Sequence, residues 1–126
     1  MKGSHLEQIL QTTAQTSEAV ESEDLGPCAS RPMPKEWTGL YVLNGKEDTR
    51  AFQYVHLGFA SYSASGTSFV VEFNVPEKWR LTVKGRKLWK VFVNIHHHAL
   101  EWIKKADRDF DEGDKPVITD IKVELV

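Results

Sequence analysis

The stretch RKLWKVFVNIHHHALEWIKKADRDF, residues 86–110, decides the fold class, because here the apolar spacing changes from two to between three and four. Leu88, Phe92, Ile95, Ala99, Trp102, Ala106 and Phe110 follow steps of three and four, which place them along one face of an α-helix. Glu101 and Lys105 form an i, i+4 pair in the favourable order, and DEGDKP then supplies a glycine and a proline that end a helix. The spacing predicts one long helix over 86–110.

Upstream the period is two. TGLYVLNG reads as a strand closed by Asn44-Gly45, a pair that accepts the positive φ of a tight turn. AFQYVHLGFASY, residues 51–62, reads as a second strand, with Val55, Leu57 and Phe59 on one face and Phe52, Tyr54, His56 and Tyr62 on the other; Gly58 is the place for a bulge. SFVVEFNV alternates, with Phe69, Val71, Phe73 and Val75 facing one way and Val70, Glu72 and Asn74 the other, before Pro76 ends or bends the strand. WRLTVKG follows with Trp79, Leu81 and Val83 inward and Arg80, Thr82 and Lys84 outward. After the helix, PVITDIKVELV sends Val117, Ile121, Val123 and Leu125 to one side and Asp120, Lys122 and Glu124 to the other. The expected fold is therefore α+β: a mostly antiparallel sheet of about five strands in the order β-β-β-β-α-β, with one long helix packed on one face.

The amino-terminal part reads differently. LEQILQTTAQTSEAVESED is a weakly amphipathic helix carried by Leu6, Ile9, Leu10 and Val20, and LGPCASRPMPKE follows with Gly26, Pro27, Pro32 and Pro34, which interrupt regular structure. Residues 1–36 are read as an arm and a proline-containing linker, and 37–126 as a single α+β domain.

Composition narrows the function classes. A chain of 126 residues with 40% hydrophobic and 27% charged residues suits one domain with a modest core. Cys28 is the only cysteine, which excludes an internal disulfide and a cysteine cage for zinc and points to a reducing, cytoplasmic setting. No apolar run approaches the roughly 20 residues that cross a bilayer, so no membrane partner is expected. The net charge of -2 conceals segregation: residues 78–105 hold eight lysines and arginines against Glu101 alone, between two acidic ends.

His96, His97 and His98 suggest a metal site, but consecutive helical residues are about 100° apart and the three fan over about 200°. His97 and Glu101 share a face without a third ligand, so no metal and no cofactor is expected. Asp107, Asp109 and Asp111 alternate as the first ligands of a calcium loop do, yet Glu112 stands where that loop needs glycine and Ile118 where it needs a bidentate glutamate. NGKEDT and VKGRKL lack the spacing of a phosphate-binding loop, and no nucleophile elbow is present. A small enzyme with His56 as an acid-base group is a further alternative that no motif selects.

What remains is the sheet face left uncovered by the helix. With one face under the helix, Phe52, Tyr54, His56, Tyr62 and Val70 stand on the reverse, too apolar for bare solvent, and are the candidate partner-binding residues. The expected function is a non-catalytic interaction or assembly module that binds protein partners or itself there, a homodimer being the simplest form. The alternative is single-stranded nucleic-acid binding, with Tyr54 and His56 stacking on bases and Arg80, Lys84 and Lys122 on phosphates. A competing expectation is that the arm folds back over that face through Leu6, Ile9, Leu10, Leu25 and Met33.

Overall fold

The computed structural model describes residues 23–45, 47–108 and 113–126. The fold is α+β, as expected, but with two sheets. Among the described residues the elements are β1 (Gly39–Leu43), β2 (Arg50–Gln53), a 3-10 turn (Tyr54–His56), β3 (Leu57–Tyr62), β4 (Ser68–Phe73), β5 (Trp79–Arg86), α1 (Trp89–His96), β6 (Trp102–Lys104) and β7 (Val117–Leu125). A three-stranded sheet runs β2-β1-β6 and a four-stranded sheet runs β3-β4-β5-β7; β1 and β6 are parallel and every other pair is antiparallel.

The expected second strand is divided between the sheets. Residues 50–53 pair with β1, the 3-10 turn lifts the chain away, and residues 57–62 pair with β4. The turn puts Val55 at 82% exposure, against its expected place inside. The bulge at Gly58 then shifts the register: Leu57 lies opposite Phe73 and Phe59 opposite Glu72, two residues of β3 against one of β4. Past it, Ala60 and Tyr62 join Leu57 against the core while Phe59 turns outward. Period-two reading across a bulge assigns every later side chain to the wrong face, which is how Tyr62 and Phe59 exchanged places.

The helix spans 8 residues, about a third of the length its spacing predicts. Leu88, Val91 and Ile95 are fully buried, and burying side chains of this kind stabilises by roughly 1.5–3 kcal/mol each, so packing rather than length holds this short helix. It ends in a Schellman motif: the His98 N–H donates to the Ile95 carbonyl (2.9 Å) and the Ala99 N–H to the Asn94 carbonyl (2.8 Å), with His98 itself at φ +59°. Glycine usually fills this left-handed position; here a histidine does, so the sequence carries no glycine to announce the stop. Beyond it the chain extends into β6.

The proline-containing segment expected as a linker is part of the core. Leu25, Cys28 and Ala29 are buried, and Ala29 bridges Ile103 of β6. The Ser30 N–H donates to the Trp102 carbonyl (3.1 Å), the Lys104 N–H to the Cys28 carbonyl (2.8 Å) and the Met33 N–H to the Ala99 carbonyl (3.2 Å). Residues 28–33 thus cover the edge of β6. Of the side chains expected to fold back, Leu25 does so, Met33 is 40% exposed, and Leu6, Ile9 and Leu10 lie outside the described residues, as does the expected amino-terminal helix.

One core joins both sheets to the helix: Leu40, Val42 and Ile103 from the first, Phe69, Val71, Leu81 and Val83 from the second, and Val91 and Ile95 from α1. Gly85 marks a second bulge, where β5 passes so close to β7 that an added Cβ would lie 1.9 Å from the Val117 carbonyl oxygen.

Candidate functional site

The five side chains expected on a free face do not form one. Phe52 is buried and stacks on Phe73, with ring centroids 4.8 Å apart. Tyr54 is 2% exposed; its hydroxyl donates to the Leu100 carbonyl (2.7 Å), its ring stacks on His98 at 4.6 Å, and burial pushes its pKa well above the ordinary range. His56 is half-buried in the 3-10 turn. Tyr62 is half-buried, packed edge-on to Trp89 at 5.0 Å and against Phe92 at 5.3 Å. Val70 alone faces outward from the middle of the four-stranded sheet, between Ser61 and Thr82.

The basic residues of the alternative reading lie with Val70, on the opposite face from the tyrosines. Across β4, β5 and β7 run the rows Glu72–Arg80–Glu124, Val70–Thr82–Lys122 and Ser68–Lys84–Asp120. Three bases are interleaved with three acids. Glu72 receives Arg80 at 3.0 Å and Lys78 at 3.8 Å, and Lys122 lies 3.8 Å from Glu124. Stacking rings and phosphate-holding bases are therefore not brought together on one surface, and each base has a carboxylate beside it in the ladder.

The histidines separate too. His96 ends α1 and His97 follows it, both exposed, while His98 turns back, with Nδ1 3.3 Å from the Glu36 carboxylate. Among the described residues no group of three His, Cys, Asp or Glu side chains is placed to hold a metal ion. Asp107 is exposed; Asp109 and Asp111 lie outside the described residues. Cys28 is fully buried, its Sγ accepting from the Ile118 N–H at 3.4 Å, and burial raises its thiol pKa. A protonated, enclosed thiol is a poor nucleophile.

An apolar surface does exist, on the other sheet. Leu40 and Val42 of β1 point into the core, so Tyr41 and Leu43 point away from it. Tyr41 lies opposite Ala51 of β2 and Trp102 of β6; Leu43 lies opposite Lys104. Tyr41 is 49% exposed, Ala51 is exposed, and Leu43 and Trp102 are half-buried. With Thr49 and Glu101, the side chains of Tyr41, Leu43, Trp102 and Lys104 line a shallow concavity of about 540 Å³. Tyr41 stands on the central strand with Trp102 beside it on β6, and Glu101 and Lys104 flank Trp102, so charges border the rings as they do in a protein-binding patch.

A buried serine positions the tryptophan. Ser30 Oγ accepts from the Glu101 N–H (2.8 Å) and the Trp102 N–H (3.1 Å), fixing the start of β6 beside β1. The first half of this site was legible: alternation around Leu40 and Val42 turns Tyr41 and Leu43 outward. Trp102 was hidden, because helical spacing absorbed it into a longer α1.

Compared with protein families, curated proteins and solved structures, the chain gives no match. Among the described residues no helix is long and apolar enough to cross a membrane.

Proposed function

We propose that this chain is a non-catalytic, cytoplasmic interaction module that binds a protein partner through the outer face of the three-stranded sheet. The observation that carries the reading is Tyr41 beside Trp102 with Leu43 and Ala51, aromatic and aliphatic side chains adjoining one another on the side of a sheet away from the core. Tyr and Trp supply large contact area at small entropic cost and dominate protein interfaces, whereas a sheet face meant for water carries polar residues. On the other sheet the outward Phe59 and Val70 stand separately among Ser61, Glu72, Arg80, Thr82 and Lys122, which supplies that contrast. The single cysteine, buried and unable to pair within the chain, accords with a reducing compartment.

The test is site-directed photo-cross-linking of the full chain in cells, with Tyr41→p-benzoylphenylalanine compared with the same replacement of Val70 on the four-stranded sheet. The reading expects a protein adduct at position 41 and little at position 70. Equal yields at the two positions, or none at position 41, would overturn it.

A further inference from the structure

We infer that the partner on this face is a second copy of the chain, related by a two-fold axis lying in the contact plane and perpendicular to the strands, so that Lys104 of each copy meets Glu101 of the other. The inference rests on the reading of this face as a protein-association surface and names the occupant.

Its basis is the placement of charge. β6 is three residues long, and Glu101 immediately precedes it while Lys104 ends it, so the acid and the base stand on either side of the Tyr41–Trp102 row. Both line the concavity, and neither has an ion-pair partner among the described residues. On the other sheet, by contrast, Arg80 and Lys122 each have a carboxylate within 4.0 Å. A two-fold rotation of the stated kind reverses the strand direction, returns the Tyr41–Trp102 row onto its own counterpart and exchanges the two sides of that row. Each copy then offers a lysine where the other offers a glutamate, twice over. The surface is thereby complementary to itself, which is the requirement of an isologous dimer. Charges at the rim of such a contact fix orientation, while the desolvated rings at its centre supply affinity.

The size of the face sets the expected strength. Three strands about 4.8 Å apart and at most five residues long offer a few hundred Å² per copy, well below the roughly 800 Å² per partner of a tight standard interface. The dimer is therefore expected to be reversible, in the micromolar range or weaker.

Sedimentation equilibrium of the full chain, from about 10 μM to about 1 mM, measures this. The native chain is expected to pass from monomer to dimer across the range. Glu101→Lys and Lys104→Glu, studied separately, each place like charges together at both contacts and are expected to weaken self-association at least about tenfold. An equimolar mixture of the two variants is expected to recover a one-to-one heterodimer, because in it both contacts again pair opposite charges. Circular dichroism checks that both variants fold; the neutral pair Glu101→Gln and Lys104→Met, each expected to weaken association to a lesser degree, serves if either does not.

A chain that stays monomeric throughout, variants that dimerise as the native chain does, or a mixture that recovers nothing would each overturn the inference. Cross-links from position 41 distinguish its failure from that of the surface reading. Adducts only to a different protein refute the second copy and leave the surface reading standing, whereas no adduct at all removes both.

Discussion

The two sheets of this molecule bury their inner faces in one core but present opposite outer faces. Outside the four-stranded sheet, Arg80, Lys84 and Lys122 alternate with Glu72, Asp120 and Glu124. Outside the three-stranded sheet, Tyr41, Ala51 and Trp102 stand side by side. The first is satisfied by water and by its own ion pairs; the second is not, because rings and aliphatic side chains gain free energy when water leaves them. The lesson is that an unpaired apolar face is informative only when the same molecule shows what a solvated one looks like.

The sheets are also held differently, and the largest expected effects come from there. At the Gly85 bulge of the four-stranded sheet, Gly85→Ala drives a methyl group into the Val117 carbonyl, which a β-carbon cannot approach to 1.9 Å. A loss of about 3 kcal/mol or more is expected in chemical denaturation, in line with overpacking against atoms that cannot move aside. A near-native midpoint for this variant would mean that β5 and β7 do not pass so closely.

In the three-stranded sheet one hydroxyl, that of Ser30, adds to the backbone bonds that hold β6. Ser30→Ala leaves the Glu101 and Trp102 amides without their acceptor, an expected loss of about 2 kcal/mol. It should also loosen Trp102, read as faster hydrogen exchange across β6 than across β5. Equal exchange in both strands would show that the arm does not hold this sheet.

Next in size is a pH effect from the core between the sheets. The Cys28 and Tyr54 pKa values are both raised by burial above ordinary values of 9.0 and 10.0. The unfolded chain therefore loses these protons before the folded one does. Stability is full below pH 9 and falls as pH rises above it, Cys28 contributing first and Tyr54 above pH 10. Tyr54→Phe removes the tyrosine part of this slope and, at neutral pH, costs about 1 kcal/mol for the lost bond to Leu100. Denaturant midpoints measured between neutral pH and pH 11 provide the check.

The smallest stability effects separate the outer faces most directly. Tyr41→Ser is expected to change stability by less than about 0.5 kcal/mol while abolishing association, because half the ring is already in water. Lys122→Ser on the other sheet should alter neither, exposed pairs such as Lys122–Glu124 contributing about 0–1 kcal/mol. A large stability loss at Tyr41 would make its face structural rather than adhesive.

Much of the fold was legible in residue order. Alternation in β4, β5 and β7 assigned Phe69, Val71, Leu81, Val83 and Ile121 to the core and Arg80, Lys84 and Lys122 to the outside, because each strand is regular over most of its length and one face of each is buried. Much less of the site was legible. Phe52 and Tyr54 read as exposed because a 3-10 turn, which Tyr54 begins, moves the chain from one sheet to the other just after Phe52, and Tyr62 because a bulge at Gly58 reverses parity.

By itself, then, the sequence determined the α+β class, the strand and helix periods and the inward set of the regular strands, all properties of neighbours within a few residues. Only the tertiary structure decided where α1 stops, which edge residues 28–33 cover and which sheet face stays apolar. Those outcomes depend on contacts between segments some 70 residues apart, such as Ser30 with Trp102, whose hydrogen bonds outweigh a helical spacing that Ala99, Trp102 and Ala106 satisfy only by coincidence.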